Sequence, residues 1–240
     1  MVDPRMSIVH ERLKAVRRIV AVSGGKGGVG KSLFAATFAL ILAGEGFKVG
    51  LFDLDFTSPS THAVLGVGDL RLVEEKGIVP PRVRGLEYMS IVYYSRDHAT
   101  PLRGVDASNA LLELLSVVVW GELDYLVLDV PPGIGDATLD LVRFIERAEF
   151  LIVTTPSRLA FETVKRLVGL LQELRVRVIG VVENMELARS DSVEREADAL
   201  GLRVLGRIPF DDGVEGALGK PDELLKTVFA EKVRQLASRI

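Results

Sequence analysis

The stretch GKGGVGKS at residues 25–32 decides the fold of this chain. It matches the pattern Gly-x-x-x-x-Gly-Lys-Ser/Thr, in which a glycine-rich turn binds the phosphates of a nucleotide. The apolar run Ile19–Val22 precedes it and predicts a buried strand, while Lys31 opens a helical pattern. Strand, loop and helix therefore follow one another in the order that a phosphate-binding loop requires.

The residue types in this loop suit the chemistry of phosphate binding. Glycines leave room for backbone N–H groups to converge on phosphate oxygens, and the start of the helix adds partial positive charge. We predict that Lys31 reaches the β- and γ-phosphates and that Ser32 coordinates Mg²⁺. The candidate nucleotide-binding residues of the loop are Gly25, Lys26, Gly27, Gly28, Val29, Gly30, Lys31 and Ser32.

Acidic residues end two further strand patterns. Asp129 follows the apolar run 125–128, and a carboxylate in that position commonly holds Mg²⁺ or a water of its shell. Asp53 and Asp55 end the second strand pattern, where alternate positions would place both carboxylates on one face. We predict Ser32, Asp53 and Asp129 as metal ligands. Asp55 is predicted to meet a cation or orient water, with helix capping as the alternative.

The base is predicted to be adenine. Guanine selectivity usually needs an Asn-Lys-x-Asp element, and this chain has Asn-Met-Glu-Leu at residues 184–187. No acid stands at the fourth place, so ATP is favoured over GTP.

Short apolar runs alternate with helical patterns along nearly the whole chain. This alternation predicts one α/β domain over residues 1–240, with a mostly parallel sheet and helices on both faces. The predicted strands are Ile19–Val22, Val49–Leu54, Met89–Tyr93, Tyr125–Val130, Phe150–Thr154, Val176–Val182 and Val204–Ile208. The predicted helices are Leu33–Ala43, Ala107–Val119, Thr138–Arg147, Phe161–Leu174, Ser192–Leu200 and Asp222–Ser238.

Two segments fit this alternation less well. Residues 1–17 predict an N-terminal helix, and Arg12, Lys14, Arg17 and Arg18 form a basic patch that we interpret as a solvated helix face. Residues 57–103 are rich in glycine and proline and predict an irregular insertion over the nucleotide site, with a plain surface insertion as the alternative.

Composition excludes several classes of protein. The net charge of -3 argues against coating nucleic acid, and no run of about 18 apolar residues predicts a membrane span. The 240 residues include no cysteine, which removes disulfides and thiolate ligands for zinc or iron–sulfur clusters. The first residues do not form a signal peptide, so the chain is expected in the cytoplasm. Few Asn and Gln residues suggest a heat-adapted source.

Taken together, these motifs resemble the deviant Walker-A ATPases that include MinD, ParA and Mrp, and Mrp most of all. Their loop carries a second, signature lysine, which Lys26 matches. The resemblance covers about residues 16–240. The other matching stretches are Asp53–Asp55, Pro59–Ser60, Arg103–Gly104, Trp120–Tyr125, Asp129–Gly133, Thr154–Pro156, Val182–Met185 and Ile208–Pro209.

This resemblance implies an ATP-sandwich homodimer. Lys26 would reach across to the partner's nucleotide, and Asp55 would orient the attacking water, which makes Lys26, Lys31 and Asp55 the catalytic set. Asn184 would contact adenine together with the backbone around Pro209, Phe210 and Asp211. The implied cofactors are ATP and Mg²⁺.

One departure from the Mrp pattern bears on function. Mrp carriers have a Cys-Pro-x-Cys element shortly after Glu-Asn-Met, whereas residues 183–192 read ENMELARSDS. No iron–sulfur cluster is therefore expected on this chain. The stretch Tyr93–Gly104 resembles a cysteine-free archaeal branch, the ATPase type of HypB, which assists nickel insertion into hydrogenase with a partner called HypA.

The leading hypothesis is a slow ATPase switch in metallocentre assembly, with nickel insertion during hydrogenase maturation as the client and a HypA-like metallochaperone as the partner. An iron–sulfur carrier relative and a ParA- or MinD-type positioning ATPase are the alternatives. A nucleotide-binding scaffold and a small-molecule kinase are further ones. Neither nucleic acid nor membrane is expected as a partner, because the basic patch is interrupted and the last helix lacks a strongly basic face.

Overall fold

The computed structural model describes residues 3–94, 105–188 and 190–240. The strands within these ranges are β1 (Val16–Ser23), β2 (Val49–Asp53), β3 (Val73–Glu74), β4 (Ile78–Val79), β5 (Arg82–Val83), β6 (Leu86–Ser90), β7 (Leu123–Asp129), β8 (Glu149–Thr154), β9 (Val178–Glu186) and β10 (Val204–Pro209). The helices are α1 (Arg5–Leu13), α2 (Lys31–Gly44), α3 (Thr61–Leu65), α4 (Ile91–Tyr94), α5 (Val105–Val117), α6 (Asp136–Phe144), α7 (Arg158–Glu173), α8 (Ser192–Ala199), α9 (Gly213–Ala217), α10 (Pro221–Leu224) and α11 (Val228–Ala237).

The main sheet is mostly parallel, as predicted. Within the described ranges it has eight strands in the order β10-β9-β8-β1-β7-β2-β6-β5, while β3 and β4 form a separate antiparallel pair. Neighbouring strands from β10 to β6 run parallel, and only the short β5 pairs antiparallel with β6. In a parallel sheet the carboxyl ends of the strands lie along one edge, where loops carry ligand-binding side chains.

Helices cover both faces of the sheet. One core cluster packs α1, α5, α6, α7 and α8 against the sheet, through residues such as Leu115, Leu141 and Phe161. The other packs α2 and α11 against the opposite face, through residues such as Phe34 and Phe229. This two-sided burial explains why the central strands are nearly continuous apolar runs.

Three predicted elements differ from the structure. The predicted helix Asp222–Ser238 is divided into α10 and α11, because the hydroxyl of Thr227 accepts a hydrogen bond from the N–H of Ala230 and begins a new helix there. The strand predicted at Met89–Tyr93 lies earlier in the sequence, because β6 spans Leu86–Ser90 and the helix α4 follows at once.

The N-terminal helix is also shorter than predicted. α1 ends at Leu13 and β1 begins at Val16, so the segment 1–17 is not one helix. Arg17 and Arg18 lie on β1, and the interpretation of the basic patch as one helix face is wrong. Arg17 pairs with Asp124, and Arg18 pairs with Glu149 on the neighbouring β8.

The segment 57–103 is only partly an insertion. Its strand β6 joins the main sheet beside β2, with Phe52 opposite Met89 and Asp53 opposite Ser90. Among the described residues of this segment, 57–94, the irregular part comprises the short elements from α3 to β5 that precede β6. Arg103–Gly104 and most of the stretch Tyr93–Gly104, on which part of the predicted resemblance rests, fall outside the described ranges.

Candidate nucleotide site

The site is built at the carboxyl ends of five parallel strands. β1 ends at Ser23 and leads into the glycine-rich loop, after which Lys31 begins α2. β2 and β7 end at Asp53 and Asp129, and these two residues lie opposite each other in the sheet. β9 and β10 bring Asn184 and Pro209 to the same edge.

Packing explains why the loop needs glycine at two of its positions. A Cβ on Gly25 would lie 2.2 Å from the hydroxyl oxygen of Thr163 and 2.7 Å from the backbone nitrogen of Val164. Gly30 has φ of +84°, which L side chains rarely adopt, and its Cβ would lie 2.3 Å from the side-chain nitrogen of Asn184. The loop therefore lies pressed between the start of α7 and the end of β9.

Lys31 is buried among acidic side chains. Its ammonium forms an ion pair with Asp129 and lies 3.7 Å from Oδ2 of Asp55. It also donates to the hydroxyl of Ser32 at 3.2 Å. The structure thus places three of the predicted catalytic and metal-binding residues, Asp129, Asp55 and Ser32, around the amine of a fourth, Lys31.

Asp129 has the properties expected of a cation ligand. Burial raises its pKa to about 6, although the ion pair with Lys31 acts in the opposite direction. Its Oδ2 is buried and has no hydrogen-bond partner among the described residues. An unpartnered buried carboxylate oxygen beside a serine hydroxyl fits a bound divalent cation.

Asp53 and Asp55 do not share the single strand face that alternation predicts. β2 ends at Asp53, and the chain then turns so that the N–H of Asp55 donates to Oδ1 of Asp53 at 3.1 Å. Asp55 caps none of the described helices, and its Oδ1 accepts from the backbone and hydroxyl of Thr57 and from the backbone of Ser58. Burial raises the pKa of Asp53, while hydrogen bonds from Thr61 oppose that shift.

A cavity of about 770 Å³ opens beside these residues. This volume lies in the range of small-molecule sites. Eleven of the residues that we predicted from the sequence line it, namely Lys26, Gly27, Gly28, Gly30, Lys31, Ser32, Asp55, Asn184, Pro209, Phe210 and Asp211. Gly25, Val29, Asp53 and Asp129, which were also predicted, are not among the residues that line this cavity.

The predicted adenine contacts also hold the site together. The side-chain nitrogen of Asn184 donates to the carbonyl of Val29 at 2.9 Å and so ties β9 to the phosphate loop. The carboxylate of Asp211 accepts from the backbone of Gly213 and from the backbone of Phe229 at the start of α11. Phe210 is 57% exposed at the cavity, where its ring is available to a base.

Some lining residues were missed by the sequence analysis. Thr57, Ser58, Met185 and Phe229 all contribute to the cavity wall. Nothing in the sequence indicates that Phe229 lines the site, because it lies 18 positions after Asp211 in a segment with the pattern of an ordinary amphipathic helix. Thr57 and Ser58 follow closely after Asp53 and Asp55 in the sequence, and their position next to two candidate site residues could have marked them.

A cation at this site would need ligands from the nucleotide. No group of three or more His, Asp or Glu side chains in the described ranges could hold a metal ion. Mg²⁺ commonly uses one or two carboxylates together with substrate phosphates, so Ser32 and Asp129 fit a cation that arrives with a nucleotide.

No helix among the described residues is long and apolar enough to cross a membrane.

Comparisons with known proteins agree with this geometry. The family model ParA, described as NUBPL iron-transfer P-loop NTPase, matches residues 15–240. An iron–sulfur cluster carrier protein of Pseudomonas fragi is 36% identical over 244 residues, covering 91% of this chain and 85% of that protein. One of Methanocaldococcus jannaschii is 34% identical, covering 97% and 87%. One of Aquifex aeolicus is 38% identical, but the aligned region spans only 61% of its length.

Solved structures show the same fold. A nucleotide-binding protein of Archaeoglobus fulgidus in complex with ADP matches with a TM-score of 0.77 and 28% identity, over 92% of this chain and 93% of that one. The cell division ATPase MinD of Pyrococcus furiosus matches with a TM-score of 0.71 and 22% identity, over 93% and 98%. The resemblance to the Mrp, MinD and ParA group is confirmed, and the chain belongs to the ParA family of NUBPL-type iron-transfer P-loop NTPases.

Proposed function

We propose that this chain is a dimeric switch that binds ATP, hydrolyses it slowly and acts in the assembly of iron–sulfur centres in the cytoplasm. The observation that carries the proposal is the position of Lys31, whose amine lies between Asp129 and Asp55 at the end of a glycine-rich loop. The loop and this amine border a cavity of suitable volume.

Different residues of the site are proposed to bind the phosphates, hold the cation and orient the attacking water. Backbone N–H groups of the loop and the amine of Lys31 bind the β- and γ-phosphates, and the move of Lys31 towards them releases Asp129. Ser32 and Asp129 would hold Mg²⁺, which would neutralise charge on the phosphates. Asp55 keeps one oxygen in its own turn and has Oδ2 towards the site, where it orients the attacking water.

Lys26 is proposed to act on the nucleotide of a second copy. It is partly exposed and lines the cavity, whereas Lys31 already serves the phosphates of its own subunit. A second cation delivered from outside can stabilise charge on the leaving phosphoryl group. Hydrolysis would then depend on dimerisation.

The names of the relatives favour iron–sulfur clusters over nickel as the client. The Pseudomonas fragi, Methanocaldococcus jannaschii and Aquifex aeolicus proteins are all called iron–sulfur cluster carriers. These names give no support to nickel insertion, hydrogenase maturation or a HypA-like partner. The alternative hypothesis of an iron–sulfur carrier relative therefore fits better than the leading hypothesis of nickel insertion. Because this chain has no cysteine, we propose that a partner protein supplies the thiolates that hold the cluster.

A cluster-transfer assay tests this function. A thiolate-bearing scaffold loaded with a [4Fe–4S] cluster is mixed with an apo acceptor enzyme, and recovery of acceptor activity is followed with and without Mg·ATP. We expect wild-type protein to accelerate transfer only when ATP is present, and Lys31→Ala protein to have no effect. The same transfer rate with and without nucleotide would contradict a role in cluster assembly.

A further inference from the structure

Asp53 lies at the end of β2 with its carboxylate fully engaged. Its Oδ1 accepts from the N–H of Asp55 at 3.1 Å. Its Oδ2 accepts from the backbone of Ser60 at 3.1 Å, and from the backbone and hydroxyl of Thr61 at 3.0 and 2.7 Å. The side chain is completely buried. Both oxygens therefore already have the donors that a buried carboxylate needs.

Asp129 differs from Asp53 in this respect. One oxygen of Asp129 pairs with Lys31, and the other has no hydrogen-bond partner in the described part of the chain. A cation bound by Asp129 displaces no hydrogen bond from that second oxygen. A cation bound by Oδ2 of Asp53 would compete with three donors, so the two carboxylates are not equivalent ligands.

The donors around Asp53 belong to the segment that carries Asp55. The carboxylate joins the start of this segment, at Asp55, to its end, at Ser60 and Thr61. Asp55 then organises the turn between them through Thr57 and Ser58, and its Oδ2 remains 3.7 Å from the amine of Lys31. The position of Asp55 at the cavity thus depends on Asp53.

A second contact ties the end of this segment to the sheet. The hydroxyl of Thr61 donates to Asp53 and accepts from the phenol of Tyr88, whose oxygen lies 2.9 Å away. Tyr88 is fully buried on β6, next to β2. Asp53, Thr61 and Tyr88 form a buried chain of hydrogen bonds, which we call the β2–β6 relay.

We propose that Asp53 is a positioning residue that holds Asp55 in place through the β2–β6 relay, and that it is not a ligand of the cation. This proposal rests on the ATP binding and hydrolysis proposed above. It replaces the role as a metal ligand that the sequence predicted for Asp53.

A magnesium titration distinguishes the two roles without relying on turnover. The melting temperature is measured at saturating ATP while Mg²⁺ is varied, for wild type, Asp53→Asn and Asp129→Asn. We expect Asp53→Asn to keep the wild-type Mg²⁺ midpoint, whereas Asp129→Asn raises it by about tenfold or more. An increase for Asp53→Asn as large as that for Asp129→Asn would overturn the proposal.

Phosphate release at saturating Mg·ATP supplies the second readout. Asp53→Asn should lower kcat by about tenfold or more, because a displaced catalytic group loses its reacting geometry. An unchanged kcat in an active wild-type background would also overturn the proposal. If wild type binds Mg·ATP without hydrolysing it, the proposed hydrolysis fails, and the magnesium titration still decides the role of Asp53.

Substitutions of Thr61 keep the test decisive if Asp53→Asn does not fold. Thr61→Val removes the hydroxyl and keeps its shape, whereas Thr61→Ser keeps the hydroxyl. Thr37→Val is the matched control, since Thr37 is also fully buried and its hydroxyl has no hydrogen-bond partner among the described residues. We expect Thr61→Val to lower kcat with an unchanged Mg²⁺ midpoint, and Thr61→Ser and Thr37→Val to behave like wild type. Equal kcat values for Thr61→Val and Thr37→Val would contradict the relay.

Discussion

At the scale of single residues, we expect Lys31 to change its partners when a nucleotide binds. Its amine pairs with Asp129 and lies near Asp55, and the phosphates of ATP would take the place of these carboxylates. Lys31→Ala should therefore abolish the rise in melting temperature that ATP produces. A melting curve with and without Mg·ATP checks this, and a full ATP shift in the variant would contradict the assignment.

Lys31→Ala should also change how the stability of the nucleotide-free protein depends on pH. Burial raises the pKa of Asp129 to about 6, so the folded state binds its proton more tightly than the unfolded state. Stability from this group is present at low pH and is lost as pH rises from about 4 through the folded pKa. Without Lys31 to oppose the shift, we expect the variant to lose more stability at pH 8 than at pH 5, measured by urea unfolding. An equal loss at both pH values would count against an ion pair that compensates a buried charge.

The residues of the phosphate loop could be predicted because phosphate chemistry dictates their order. The contacts made by Asn184 and Asp53 could not. Asn184 binds the carbonyl of Val29, 155 positions earlier in the chain, and only the folded sheet brings them together. Asp53 resembles a metal ligand in sequence, but its donors lie in a turn that alternation along a strand does not anticipate.

At the scale of elements, the start of α11 forms one wall of the site. The hydroxyl of Thr227 accepts from the N–H of Ala230, and Asp211 accepts from the N–H of Phe229. Thr227→Ala should lower the free energy of unfolding by about 1 kcal/mol, because one end of the helix loses its cap. Thr227→Ser keeps the acceptor and is the control. Identical urea unfolding of the two variants would show that the cap does not stabilise α11.

The order of strands and helices could be predicted from the sequence, whereas the predicted first and last residues of the elements were less accurate. Amphipathic spacing continues through residues 222–238, since both α10 and α11 bury apolar residues on the same side of the sheet. Periodicity therefore predicts one helix where a turn divides two. β6 was placed too late because its first residues include Glu87, which interrupts the apolar run but accepts a hydrogen bond from the backbone of Gly121.

At the scale of the whole molecule, nucleotide binding should stabilise the fold. Ligand that binds only the native state adds about 2.7 kcal/mol when its concentration is a hundred times Kd. We expect Mg·ATP to raise the melting temperature clearly and Mg·GTP far less, because residues 184–187 lack the element that usually selects guanine. Equal shifts with the two nucleotides would refute the choice of base.

Cluster binding is a second property of the whole chain. Carboxylates and three histidines are poor ligands where thiolates are required, and the chain has no cysteine. Reconstitution of the purified protein with iron and sulfide should leave no stable cluster, as judged by visible absorption and iron content. A brown chromophore with stoichiometric iron would show that this chain holds the cluster itself.

We propose that hydrolysis requires two copies of the chain, and phosphate release measured against protein concentration tests this requirement. Turnover should rise more than linearly with concentration until the dimer is saturated, because Lys26 is proposed to act on the nucleotide of the partner. Its contribution can be estimated at roughly 10³–10⁵ in rate, by analogy with cations supplied in trans.

Three variants complete this measurement, with light scattering to follow dimerisation. Lys26→Ala should bind ATP but neither dimerise nor turn over, Asp55→Ala should form a persistent ATP dimer, and the exposed Lys14→Ala should match wild type. We expect phosphate release by the wild type to depend steeply on protein concentration, and this dependence to disappear in Lys26→Ala. Linear turnover in the wild type, with normal dimerisation and hydrolysis in Lys26→Ala, would contradict it.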